Sequence, residues 1–345
     1  MPKDVNPYYQ GPVTDHFDGV RFFTPGHQVV NCTSDLLKWQ FSGEKSRWPK
    51  RVENQTHQPP PERVNSDGLS ATYIGHATVL LQLGGLNILT DPFLSSRTSP
   101  VQWFGPKRVR DPGIAADDLP RIDIILVSHN HYDHMDLPAL TRLYDLHGAR
   151  IITPLGNGAI INKARRPFDI TEGDWGDRFR LTEDIHVTLT PAKHWSKRTT
   201  SDRNMALWAA FVIETPHGPV YFAADSGYGG GDHFRDIRTR FGRPRLALIP
   251  IGAYEPRWFM QAQHMNPEEA VLAHNDLAAH RSLAIHHGTV QLTDEAIDQP
   301  VIDHEIALDK HGVDAGAFRA TEPGESWTIP PLATSGSGVL EQAAE

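Results

Sequence analysis

Residues 128–136 read Ser-His-Asn-His-Tyr-Asp-His-Met-Asp, directly after the apolar run Ile122-Asp123-Ile124-Ile125-Leu126-Val127. His129, His131, Asp133 and His134 offer imidazole nitrogen and carboxylate oxygen, the donors that Zn²⁺ and its borderline neighbours select. Alternate residues leaving a strand point the same way. His129 and His131 can therefore grip one ion together, while Asp133 and His134, where the strand must turn, can face a second. A loop that merely happens to be rich in histidine is the competing explanation. This density of donors, delivered by a strand, argues against it.

Other apolar runs end in further donors. Leu86-Asn87-Ile88-Leu89-Thr90 is followed by Asp91-Pro92, and Ile185–Thr190 by Pro191 and, three positions on, His194. Val220–Ala224 hands over Asp225, Leu246–Ile251 leads into a loop containing Tyr254, Glu255, Arg257 and His264, and Ser282–Ile285 delivers His286-His287. Open α/β folds bind ligands in the crevice outside the carboxyl ends of their strands, so these segments are expected to converge. The expected grouping is His129, His131 and His194 around one ion, and Asp133, His134 and one of His286 or His287 around the other, with Asp225 between them. Asp91 is either a turn residue before proline or an acceptor that orients a ligand histidine. His186 reads as a solvent-facing strand residue and His217 as an exposed turn residue.

The supporting elements alternate strand, ligand loop and helix. Residues 71–74, 77–83 and 86–90 read as strands around a Gly84-Gly85 turn. Helical spacing runs from Leu137 to His147 and stops at Gly148, and a short helix is expected from Gly156 to Ala164. Asn266-Pro267-Glu268-Glu269 has the cap, first-turn proline and acids of a helix start. Residues 1–68 carry no sustained period and read as an N-terminal arm with aromatic anchors, 69–331 as the body and 332–345 as a disordered tail.

Composition narrows the function. A formal net charge of −9 with mixed signs argues against nucleic acid. The single cysteine, Cys32, excludes an internal disulfide and a Cys-based zinc site and reads as a small apolar side chain. No leader-like segment and no apolar run near eighteen residues is visible, so the expected setting is cytoplasmic, with room for peripheral membrane contact and for a homo-oligomer.

The H-x-H-x-D-H string at 129–134, followed in order by His194, Asp225 and His286, resembles the metallo-β-lactamase superfamily, which implies an α/β fold, a four-layer αβ/βα sandwich. Tyr254-Glu-Pro-Arg-Trp-Phe-Met, His264-x-Asn-Pro-Glu-Glu-Ala and Ile285-His-x-Gly-Thr resemble the branch of N-acyl-phosphatidylethanolamine-hydrolysing phospholipases D. The resemblance selects His286 over His287, matches Asp91 to the family's Thr-Asp-Pro stretch, and implies two divalent metal ions, zinc by expectation, with iron and manganese compatible. Two such ions would acidify a shared water, making its hydroxide the nucleophile. Asp133 could then relay a proton, and Tyr228 and His264 could contact the developing anion or leaving group. The expected activity is that of a phosphodiesterase of phospholipase D type on N-acyl-phosphatidylethanolamine or a related phosphodiester, so the expected partner is a phosphodiester or lipid-like small molecule. The rival readings are a lactonase, amidase or β-lactamase-like hydrolase attacking a carbonyl, and a metal-binding protein without catalysis.

Overall fold

A computed structural model describes residues 5–27, 33–42, 45–163 and 167–332. Cys32, Ala164 and the tail beyond Leu332 therefore lie outside the described residues.

The strands are β1 Leu69–Gly75, β2 Thr78–Leu83, β3 Leu86–Thr90, β4 Ile124–Leu126, β5 Arg150–Pro154, β6 Ile170–Gly173, β7 Arg178–Arg180, β8 His186–Thr190, β9 Ala210–Glu214, β10 Val220–Phe222, β11 Leu246–Pro250, β12 Ser282–Ile285, β13 Phe318–Arg319 and β14 Ser326–Thr328. The helices are α1 Thr33–Ser42, α2 Leu137–His147, α3 Asn157–Ile161, α4 Asp232–Phe241, α5 Arg257–Met260, α6 Pro267–Leu277 and α7 Gln299–His311. The strands make two seven-stranded sheets, β14-β1-β2-β3-β4-β5-β6 and β13-β12-β11-β10-β9-β8-β7. Each is antiparallel at one end and parallel at the other: β3 to β6 run parallel in the first, and β10 to β13 in the second.

Strand alternation explains the four layers. Val79, Leu81, Ile124 and Leu126 point between the sheets and meet Phe211, Phe222, Leu248 and Leu283 from the other side. Their neighbours Leu80, Ile125 and Val127 point outward under Leu140 and Leu143 of α2. On the second sheet Ala247, Ile249 and Ala284 point outward under Val271 and Leu277 of α6. Strands buried on both faces must be apolar throughout, which is why these runs read as continuous rather than alternating. The fold is a four-layer αβ/βα sandwich.

Two helices end as their sequences dictate. Gly148 takes the left-handed conformation that closes α2 (φ 64°). Asn266 caps α6 in a reciprocal capping box with Glu269. The N-terminal residues bury Phe17 and Phe22 in the outer core of the second sheet, and Trp39 of α1 packs on Phe259 and Met260. No helix among the described residues is long and apolar enough to cross a membrane.

Candidate metal centre

Seven predicted donors come from loops that leave the sheets at one edge. His129, His131, Asp133 and His134 follow β4, His194 follows β8, Asp225 follows β10 and His286 follows β12. Several of these turns are sharp enough to force non-glycine residues to positive φ: Asp91 (30°), Ala224 (51°) and His286 (63°). Each such residue costs on the order of 1–3 kcal/mol, and residues held this way cluster at functional sites.

The donors form two groups that share one carboxylate. His129, His131, His194 and Asp225 present ligand atoms within 4.8 Å of one another, and so do His76, Asp133, His134 and His286. In the first group His129 Nε2 lies 2.8 Å from His131 Nδ1, which is 3.3 Å from His194 Nε2. Asp225 Oδ2 is 3.7 Å from His194 Nε2 and 3.1 Å from His134 Nε2, while its Oδ1 is 3.3 Å from His286 Nε2. Asp133 Oδ2 lies 3.4 Å from both His134 Nε2 and His286 Nε2. A tetrahedral ion with ligand bonds of about 2.0–2.1 Å has edges of about 3.3 Å between ligands, so these spacings suit a cation held among them.

Hydrogen bonds outside the cluster decide which imidazole nitrogens carry protons. Gln263 O can only accept, so His194 Nδ1 donates to it at 3.0 Å. Asp91 Oδ2 takes His134 Nδ1–H at 2.7 Å and the Ser128 hydroxyl at 2.5 Å, while Oδ1 takes Ser128 N–H at 2.7 Å. With its proton given to Asp91, Ser128 Oγ accepts from His129 Nδ1 at 2.8 Å. In all three rings the Nε2 lone pair is thus turned inward, toward other lone pairs. His134 Nε2, His286 Nε2 and Asp225 Oδ1 are buried and make no hydrogen bond among the described residues. Lone pairs facing lone pairs in a dry site repel unless a cation lies between them, so the residues present fit divalent ions.

The charge states agree. Burial and the neighbouring His194 push His131 down to about 3, and burial brings His194 down to about 4, so both rings are neutral ligands at pH 7. Burial, with His134 and His131 beside it, holds His129 well below the ordinary histidine value. Burial also opposes charge on His134 and His286. The carboxylates outweigh it there: Asp225, Asp133 and Asp91 hold His134 well above its usual value, and Asp225 and Asp133 raise His286 to about 9. Burial would raise Asp133 and Asp225, but the surrounding histidines, His134 first, keep both well below the usual carboxylate range.

Two predicted residues fare differently from the rest. His264 lines the same cleft, with Nδ1 4.0 Å from Asp225 Oδ2 and its ring 5.2 Å from that of His194. Tyr228 is not brought to the cluster. Its hydroxyl donates to Asp276 at 2.7 Å, beside Arg235, because the chain after Asp225 turns toward α4 and α6 instead of continuing over the site. That corrects the expectation that Tyr228 contacts the reacting group. His287 turns away from the cluster and stacks on Tyr73 at 5.4 Å, while His217 is exposed in its turn.

His76 is the residue that sequence reasoning passed over. It lies in the tight β1–β2 turn at φ 59°, fully buried, with Nε2 2.9 Å from Asp133 Oδ2 and its ring 3.9 Å from that of His286. The available signal was a histidine after Gly75 in a turn that needs no large side chain. Ser226 ties the ligand loops together: its Oγ accepts Lys193 N–H and its carbonyl accepts Met265 N–H. Gly252 passes so close beneath His286 that a Cβ would stand 2.1 Å from the His286 carbonyl oxygen.

A cleft of about 310 Å³ opens onto His131, Asp133, Asp225 and His264. Leu36, Trp39, Phe259, Met260 and Leu292 give it an apolar wall, while Trp195, Lys197 and Arg203 form a second, cationic one.

Residues 86–287 match the family model described as the beta-lactamase superfamily domain. Over 273 residues the chain is 36% identical to N-acyl-phosphatidylethanolamine-hydrolyzing phospholipase D 1 of Caenorhabditis elegans, covering 76% of each. It is also 36% identical over 235 residues to the mitochondrial N-acyl-phosphatidylethanolamine-hydrolyzing phospholipase D of Saccharomyces cerevisiae, covering 66% of this chain and 49% of that one. Igni18, a metallo hydrolase from the archaeon Ignicoccus hospitalis, shares the fold with a TM-score of 0.56 at 20% identity, over 76% of this chain and 99% of that one.

Proposed function

This chain belongs to the metallo-β-lactamase superfamily, and on that premise we propose that it is a two-metal phosphodiesterase of phospholipase D type. The substrate is N-acyl-phosphatidylethanolamine or a related phosphodiester, cleaved between phosphate and alcohol. The observation that carries the reading is the pair of donor groups joined by Asp225 beneath an apolar-walled cleft, in a chain whose relatives are named for that reaction.

His129, His131 and His194 would hold one ion, Asp133, His134 and His286 the other, with Asp225 shared and His76 against Asp133. Imidazole and carboxylate donors without thiolate suit zinc and admit iron or manganese. Two such ions would supply Lewis acidity toward a phosphoryl oxygen and an acidified water as nucleophile. The chain's own residues set the rest. Asp133, ionised and open to the cleft, is placed to accept a proton from the attacking water. His264, kept neutral by burial, faces the space above Asp225 and can hydrogen-bond the substrate's phosphoryl or leaving oxygen. Asp91 fixes the His134 tautomer. Trp39, Phe259, Met260 and Leu292 offer apolar contact to an acyl chain and keep water from the phosphate.

The test combines elemental analysis of protein purified without added metal with a substrate panel: N-acyl-phosphatidylethanolamine in mixed micelles, bis(4-nitrophenyl) phosphate, lactones and amides. About two divalent ions per chain and turnover of the diesters, lost in His131→Ala and reduced about 10²-fold or more in His264→Ala, are expected. Lactone or amide hydrolysis without any diester turnover would replace the reading with carbonyl chemistry. Unchanged turnover in His264→Ala would remove that residue from it.

A further inference from the structure

The second wall of the cleft does not end at the cleft. Trp195 sets its ring edge-on against His131, with centroids 4.7 Å apart, and the Arg203 guanidinium lies over that ring at 4.8 Å. Arg203 is therefore one aromatic ring away from the metal centre. It also lines a neighbouring groove of about 910 Å³ shared with Arg21, Lys163 and the polar run Thr199, Thr200 and Ser201. Lys197 lines the cleft beside it and makes no ion pair among the described residues.

The balance of charge along this path is uneven. Four cations, Arg21, Lys163, Lys197 and Arg203, face one acid, Asp202. That carboxylate is already used: it accepts the Tyr8 hydroxyl at 2.9 Å and the backbone N–H groups of Arg198 and Thr199 at 2.9 and 2.7 Å. Arg21 is held by donating to the Arg203 carbonyl, which keeps the two cations together, and Lys163 rests over the Tyr8 ring at 4.8 Å. Burial and the nearby Arg21 both make charge on Arg203 costlier. An anion placed here would relieve that repulsion.

We propose that Lys197 and Arg203 are specificity-determining residues, and that the preferred phosphodiester carries a second anionic group, a carboxylate or phosphate, on the alcohol lying along Trp195 toward the groove. This rests on the phosphodiesterase reading and deepens it. The apolar wall takes one substituent of the phosphate and the cationic wall reads the charge on the other. A guanidinium with a half-buried face binds a carboxylate through charge-assisted hydrogen bonds, and a preference of about tenfold is the scale expected for one such contact near the surface.

The experiment uses the metal-loaded full chain and two matched pairs of compounds. The 4-carboxybutyl and pentyl monoesters of methylphosphonic acid are compared by calorimetric Kd, and the corresponding 4-nitrophenyl phosphodiesters by KM. A Kd about tenfold lower for the carboxylated phosphonate is expected. That ratio should fall below about threefold in Arg203→Gln and in Lys197→Gln, be largely retained in Arg203→Lys, and shrink in 0.5 M salt. Because the readout is a ratio within one variant, a variant that fails to fold binds neither compound and is recognised as such by its unfolding curve, and Arg203→Lys then carries the comparison. Equal Kd values for the two phosphonates in the parent chain would overturn the inference, as would failure of both to bind. Turnover of both diesters without discrimination would sink the inference and leave the phosphodiesterase reading standing. Discrimination between the phosphonates with no diester turnover would do the reverse.

Discussion

Asp91→Asn should separate the two donor groups. Asp91 is fully buried and accepts three hydrogen bonds, from Ser128 N–H, Ser128 Oγ–H and His134 Nδ1–H. The amide can keep the first through its oxygen. Its NH₂ then faces His134 Nδ1, and two donors cannot share that contact. His134 is driven to the tautomer with hydrogen on Nε2, which removes its lone pair from the second donor group. The cost to the fold is the loss of charge-assisted bonds worth about 1.5–3 kcal/mol each, partly regained by the new amide contacts, so a net loss of about 2–3 kcal/mol is expected. The cost to metal affinity is about 10- to 100-fold, the range for removing an orienting partner of a ligand histidine. Titration of the chelated protein with zinc against a competing chromophoric chelator should show one site of parental affinity and one weakened by that factor, with chemical denaturation measured in parallel. Two sites of parental affinity in Asp91→Asn would refute the tautomer argument, and with it the claim that Asp91 acts through His134.

Three further outcomes are expected. His76→Ala should weaken zinc binding at the second group about tenfold or more while sparing the first, whereas a residue that only fills space would lower Tm without changing either affinity. The metal-free chain should lose stability as pH rises through about 9: His286 has a folded value raised to about 9, so its contribution is fully present below the ordinary histidine value near 6.5 and disappears above the folded one. Thermal unfolding of the chelated protein from pH 7 to 10 should show that fall, and zinc loading near pH 7 should release protons, detectable as a buffer-dependent calorimetric heat. Tyr228→Phe should keep parental kcat and lose about 1 kcal/mol of stability, the scale of its partly exposed bond to Asp276; a kcat reduced 100-fold would restore Tyr228 to the reaction.

The local elements were legible wherever sequence and tertiary demands coincide. Leu137–His147 and Pro267–Leu277 form as expected because their caps, Gly148 and Asn266, act within one turn of chain. Strands 86–90 and 282–285 were readable because burial on both faces leaves only apolar residues. Helices α4 and α7 were not read, since their hydrophobic faces are short and interrupted by charge and their stability comes from the sheet they cover.

By itself the sequence determined the donor inventory: which side chains can bind a cation, and that apolar strands end in them. Chemistry carried by residue type and by spacing along a strand survives in one dimension. Only the tertiary structure decided how those donors are shared. His76 joins Asp133 because β1 and β2 turn beside β12, and Tyr228 leaves because the chain after Asp225 bends toward α6. Asp225 spans both groups because the two sheets meet at one edge. Each of those outcomes depends on the direction of a side chain at a strand end, and a sharp turn at positive φ redirects a side chain without leaving any periodic mark in the sequence.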